Sequence, residues 1–180
     1  MTDLRSANIK PWMLTGDHES TAKQIGFASG IFSENRNVQQ FEMLEEDETE
    51  MLLIKMKRMG NTDFLISGAA LSTLMTETAK VKGKSKELVD CFQRAKGIVI
   101  YRASSDQKAN LMEFMRKVDP NKACLAVGDG LNDVKMLKAA TIGVGIVTKE
   151  GTIASSSADF SIANVKDLTR LLFQHGSNYG

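Results

Sequence analysis

Cysteine, proline and histidine occur only twice each in 180 residues, and tryptophan once. The two cysteines, Cys91 and Cys124, lie in apolar surroundings without C-x-x-C spacing. A disulfide scaffold or zinc site is therefore unsupported, and buried reduced thiols are expected. An excess of one charge is also missing. With 23 basic and 22 acidic residues, the chain offers no global field to nucleic acid or to an anionic membrane surface. No apolar run approaches the roughly 18 residues of a membrane span, and the opening MTDLRSANIK lacks the apolar core of a signal peptide. A cytosolic chain that does not itself cross a membrane is expected, with no nucleic acid as partner.

What is present is a hydrophobic content of 42%, ordinary for a folded domain, in a chain of single-domain length. Short apolar runs alternate with stretches of helical period. Strands are predicted at 9–16, 63–68, 98–102, 123–129, 142–147 and 159–163. Helices are predicted at 18–31, with Ala22, Ile25 and Ala28 on one face, and at 85–97, with Leu88, Val89, Phe92 and Ala95. Further helices are predicted at 104–118, at 131–140 and at 164–174, the last with Val165, Leu168, Leu171 and Leu172 on one side. Such alternation implies an α/β, Rossmann-like fold: one largely parallel sheet with helices on both faces. Residues 33–62 break the rhythm with an acidic run, Glu45 to Glu50, followed by a basic segment. They read as a surface insertion.

In parallel sheets ligands bind beyond the carboxyl ends of strands, and three predicted strand ends carry chemistry. The first is LAVGDGLNDVKML, 125–137, where Asp129 and Asp133 stand four residues apart with Asn132 between them. Oxygen ligands without histidine suit a hard cation such as Mg²⁺, which keeps several waters and adds a substrate phosphate. Gly128 and Gly130 permit a tight turn. The same residues would also serve as an ordinary strand-to-helix turn with caps. The second is MLTGDHESTA, in which the Thr15 hydroxyl and N–H are expected to face a phosphoryl oxygen. There Gly16 allows close approach and Asp17 caps the next helix. The third is YRASSDQKANL, where Lys108, early in a helix, can neutralise an oxyanion and Arg102 can contact nucleotide phosphate. A lone lysine on a helix is ordinarily solvated; the combination of the three is what is specific.

Together MLTGD, QKA and VGDGLNDVKMLKAA resemble the phosphorylation domain of P-type ATPases, within the haloacid dehalogenase superfamily. GDGLNDVKMLKAATIGVGI, SSADFSIA and LTRLLFQHGSNY are similar to the corresponding run of the phospholipid flippases, so the likeness extends from about Leu4 to the C-terminus. This resemblance implies that Thr15 binds the phosphoryl group and that Gly16 and Asp17 shape the site near nucleotide. Arg102 would contact nucleotide, and Lys108 would balance phosphoryl charge. Asp129 and Asp133 would hold Mg²⁺, with Asn132 beside the phosphoryl group, and ATP would be the substrate.

The family's nucleophile, the aspartate of D-K-T-G-T, has no counterpart here. Asp63, Asp90, Asp106 and Asp159 all lack that context. The expectation is the C-terminal part of a split cytoplasmic phosphorylation domain that lacks the nucleophile-bearing strand, with Gly180 as a truncation point. Alone it is expected to be inactive and marginally stable or self-associating, because the sheet would keep a gap or exposed edge. Its partners would be the rest of the parent chain, a possible accessory β-subunit, and phospholipid bound by membrane helices elsewhere. His18 stands where flippases usually carry lysine, and ASSDQK lacks the usual proline. A non-catalytic flippase-like regulatory module, as in fusions to guanylyl cyclase, is the alternative. A free-standing phosphatase would need a D-x-D nucleophile motif that is absent.

Overall fold

The computed structural model describes Leu4 and residues 9–42, 45–147 and 152–172. The chain divides into two compact units, Met1–Gln107 and Lys108–Gly180. In the first, β1 (Trp12–Leu14), α1 (Glu19–Ala28), β2 (Asn37–Phe41), α2 (Thr49–Arg58), β3 (Thr62–Ser67), α3 (Gly68–Lys80), α4 (Lys84–Arg94) and β4 (Gly97–Tyr101) follow one another. Its strands form one parallel sheet in the order β1-β4-β3-β2. Every residue of β3 and β4 is buried, as continuous apolar strands covered on both faces should be.

Strand alternation divides those residues between two cores. Leu65, Val99 and Tyr101 pack with Ala22, Ile31 and Phe32, on the side of α1. Trp12, at the sheet's end strand, sets its ring edge-on to Phe92 of α4 at 5.5 Å. In α3, Leu71, Leu74 and Met75 are buried, as are Leu88, Val89 and Phe92 of the neighbouring α4, with Ala95 just beyond it. Each such side chain contributes about 1.5–3 kcal/mol relative to exposure. The face expected for α1 is corrected: Ala22 and Gly26 are buried, while Ile25 and Ala28 are exposed. A glycine at that place lets the Phe32 ring lie where a Cβ would stand, 2.7 Å from a ring carbon.

Residues 33–62 are not a plain solvated insertion. Asn37–Phe41 runs parallel to β3 as the sheet's end strand, and the Phe41 and Phe64 rings meet edge-on at 5.6 Å. Within the acidic run, Glu45 and Glu48 form a reciprocal capping box, and α2 then buries Leu52, Leu53 and Met56. Asp63 is fully buried, yet its role is structural. Arg36 Nε donates to both its oxygens at 3.0 Å, and the Ser33 N–H adds a third bond at 3.2 Å.

The second unit carries β5 (Leu125–Gly128), α6 (Val134–Ala139), β6 (Ile142–Ile146), α7 (Thr152–Ser156), β7 (Phe160–Ile162) and α8 (Asp167–Arg170). A helix α5 (Ser105–Val118) begins in the first unit and continues into the second. The strands pair in parallel in the order β5-β6-β7. Val144, Ile162 and Leu168 are the buried centre of its core, joined by Leu171 and Leu172. Val165, expected on that face, is exposed. The mostly parallel α/β architecture expected from the sequence is present, with the strands in two sheets, β1 ending one and β5 ending the other. The expected helix past residue 172 lies outside the described residues. No described helix is long and apolar enough to cross a membrane. Cys91 and Cys124 are free thiols, and burial pushes both above the ordinary thiol range.

Candidate functional site

Thr15 follows β1 directly, and its N–H is held by the Ile100 carbonyl at 2.9 Å as the sheet pairing runs out. That N–H is committed, contrary to the expectation that it faces an anion. The Thr15 hydroxyl donates to an Asp17 carboxylate oxygen at 2.8 Å and accepts from the Asp17 N–H at 3.1 Å, closing a two-residue turn. Asp17 therefore does not cap α1. The capping position is His18, whose side chain makes no cap bond. The loop after β4 is tied to this turn. Arg102 N–H donates to the Asp17 carbonyl and Ala103 N–H to the Thr15 carbonyl, each at 2.9 Å. Arg102 stands at φ 49°, in the left-handed region that a side chain rarely adopts. Its guanidinium Nε and Nη2 lie 3.3 and 3.1 Å from His18 Nδ1.

Two residues that the sequence reading passed over fix that loop. Ser104 and Gln107 form a reciprocal cap at the start of α5, Ser104 N–H to Gln107 Oε1 at 2.9 Å and Gln107 N–H to Ser104 Oγ at 3.2 Å. The Gln107 amide nitrogen then donates to the Gly68 carbonyl at 2.9 Å and to Ser72 Oγ at 3.0 Å. Gly68 is a requirement of space, since a Cβ there would stand 2.4 Å from Gln107 Oε1 and 2.7 Å from the Arg102 carbonyl. The S-x-x-Q pattern was the signal that would have found Gln107.

In the second unit the chemistry is buried. Lys108, in the first turn of α5, has a side chain only 5% exposed, and its Nζ sits 2.9 Å from Asp133 Oδ1. Asp133 comes at the end of a 3₁₀ turn, Leu131–Asp133, that leads into α6. As a cap for α6 its carboxylate does nothing. It turns back instead, and Oδ2 accepts the Asp129 N–H at 3.3 Å. Gly128 makes this possible: a Cβ there would come within 2.4 Å of the Asp133 Cβ. Gly130 has ordinary extended angles, φ −122° and ψ 169°, so its backbone is not strained.

Asp129 and Asn132 are both exposed. The two acids thus differ: Asp133 is buried and engaged by a lysine and a backbone amide, while Asp129 presents its carboxylate to solvent. Among the described residues no group of three or more His, Cys, Asp or Glu could hold a metal. One exposed carboxylate beside a second, partly engaged one fits a hard cation that takes its remaining ligands from water and phosphate.

The haloacid dehalogenase-like hydrolase profile matches residues 12–167, a span that contains both clusters. The chain belongs to that family. It is 37% identical over 176 residues to the probable phospholipid-transporting ATPase IIB of Danio rerio, which covers 97% of this chain and 15% of that protein. The Homo sapiens protein of the same name is 36% identical over 176 residues, with the same shares. The Saccharomyces cerevisiae phospholipid-transporting ATPase NEO1 is 35% identical over 178 residues, again 97% of this chain and 15% of that protein. The chain thus spans about 15% of the length of the curated relatives it matches.

Within this haloacid dehalogenase-like hydrolase chain, Thr15, Asp17, His18 and Arg102 meet in the first unit, with Gly16 in the turn between them. Lys108, Asp133 and the Asp129 backbone meet in the second, around a turn that also carries Asn132.

Proposed function

We propose that this chain is the C-terminal part of the phosphorylation domain of a phospholipid-translocating P-type ATPase. The observation that carries this reading is the buried Lys108–Asp133 pair folded back on the Asp129 turn, in a chain about 35–37% identical to phospholipid-transporting ATPases. In that role Asp129, the exposed acid, would hold Mg²⁺, and Asp133, positioned by Lys108 and the Asp129 amide, would complete the site. When bound, Mg²⁺ supplies charge neutralisation for the phosphoryl oxygens.

An ammonium has three donors. Asp133 takes one and so aims Lys108, leaving two for phosphoryl oxygens. Asn132, exposed on the same turn, donates to the phosphoryl group. Thr15 contacts the phosphoryl group by redirecting its hydroxyl from Asp17. Gly16 leaves room for approach, since a Cβ there would meet, among the described residues, only the Ala103 carbonyl at 3.8 Å. Arg102 and Asp17 flank the nucleotide. Phosphoryl transfer relies on positioning and electrostatic stabilisation, and these residues supply both.

No D-K-T-G-T aspartate exists in this sequence, so the acyl phosphate forms on another segment of the parent protein, at the cytosolic face of its membrane. The 180 residues alone turn over no ATP. Lipid choice and any accessory-subunit contact belong to the remainder of that protein. Asp129→Asn in the parent protein tests the reading. Loss of phosphoenzyme turnover is expected. Unchanged function of the parent protein would instead support a non-catalytic regulatory module, an alternative favoured by His18 and the missing proline before Gln107.

A further inference from the structure

Arg102 is held at both ends. Its backbone N–H is fixed on the Asp17 carbonyl at 2.9 Å, in a left-handed conformation at φ 49°. Its side chain directs Nε and Nη2 at a single acceptor, His18 Nδ1, at 3.3 and 3.1 Å. A guanidinium offers donors only, so Nδ1 must be the accepting nitrogen and the neutral ring carries its hydrogen on Nε2. A protonated imidazole keeps no acceptor and repels the guanidinium. A lysine at this place would have donors but no acceptor. It could not hold Arg102 in this way.

We infer that His18 and Arg102 form a proton-operated gate on the nucleotide side of the site: neutral His18 holds the Arg102 guanidinium to itself, and a protonated His18 releases it and adds a second cation. A phosphate-bearing nucleotide is then bound more tightly as pH falls. The inference rests on the proposed role of Arg102 as a nucleotide contact.

Histidine is the side chain that changes charge between about pH 5 and 8. In the chain His18 lies between two carboxylates, Asp17 and Glu19. The Asp17 carboxylate already accepts the Thr15 hydroxyl at 2.8 Å, and Glu19 opens α1. Arg102 reaches in from the end of β4. One added charge at contact distance in a water-exposed site changes anion affinity about fivefold.

Two readouts on the chain test this. The first follows the ¹⁵N resonances of Arg102 Nε and the His18 ring across about pH 5 to 8. Arg102 Nε is expected to titrate together with the His18 ring, and to stop titrating in His18→Gln, whose amide oxygen is a permanent acceptor. The second is Mg–ATP affinity over the same range. The wild type should tighten about fivefold towards low pH. His18→Gln should stay flat near the weak, high-pH value, and His18→Lys flat near the tight one. An Arg102 signal indifferent to the His18 titration, or a wild-type affinity that is flat or weakens towards low pH, overturns the gate. A titrating pair with no ATP affinity at any pH, in wild type or His18→Lys, overturns the nucleotide role of Arg102 instead.

Discussion

The two clusters that carry the candidate chemistry are built by opposite means. Around Thr15 and Arg102 the side chains are largely solvated, and order comes from backbone: the sheet's last hydrogen bond, the Thr15–Asp17 turn, and two amides of the following loop donated to it. Around Lys108 and Asp133 the backbone is an ordinary turn, and order comes from a buried ion pair whose carboxylate also holds the Asp129 amide. The first arrangement suits residues that change partners, as a hydroxyl must when a phosphoryl group arrives. The second suits charges that must not move, because a buried ion without its partner is costly.

The comparison can be broken most sharply at Lys108. Lys108→Ala leaves Asp133 buried without its cation, and a loss of about 3–5 kcal/mol in denaturant unfolding is expected. The paired replacement Lys108→Met with Asp133→Leu should be far milder. Equal losses for the single and double variants would show that burial of the pair is not what orders this cluster.

A smaller effect is expected at Gly128. Alanine there meets the Asp133 Cβ at 2.4 Å, so about 1–3 kcal/mol of overpacking should be lost, and the Asp129 amide should exchange faster with solvent. The smallest effect belongs to the exposed cluster. At the left-handed Arg102, glycine relieves a backbone strain that alanine keeps, so Arg102→Gly should be about 1 kcal/mol more stable than Arg102→Ala. Arg102→Ala proving as costly as Lys108→Ala would erase the contrast between the clusters.

Legibility in the sequence followed the same division. The apolar strands β3 and β4 and the α4 face of Leu88, Val89 and Phe92 stood out because burial on both faces, or along one stripe, leaves a periodic trace. The strand Asn37–Phe41 did not, since N-V-Q-Q-F ends the sheet and has a single partner strand, leaving its polar side chains tolerable. The helix Gly68–Lys80 was not anticipated, because the strand predicted at 63–68 takes in the glycine that opens it. That glycine opens the helix because the Arg102–Ala103 backbone passes too close for any side chain.

At the site, residue types and spacing pointed to Lys108, Asp129 and Asp133, but not to which partner each carboxylate takes. A lysine and an aspartate 25 residues apart become a buried pair only through the packing of α5 beside the turn after β5. Nor does spacing reveal that the Thr15 N–H is already spent on Ile100.

The most direct test of the central claim is metal-induced line broadening on the ¹⁵N-labelled chain. Mn²⁺, standing in for Mg²⁺, should broaden the amides of Gly128, Asp129, Gly130 and Asn132 first. Excess Mg²⁺ should reverse the effect, and Asp129→Asn should abolish it while leaving the Lys108–Asp133 pair and the fold intact. Broadening that ignores this turn, or that persists unchanged in Asp129→Asn, would contradict the assignment of the turn as the metal and phosphoryl site.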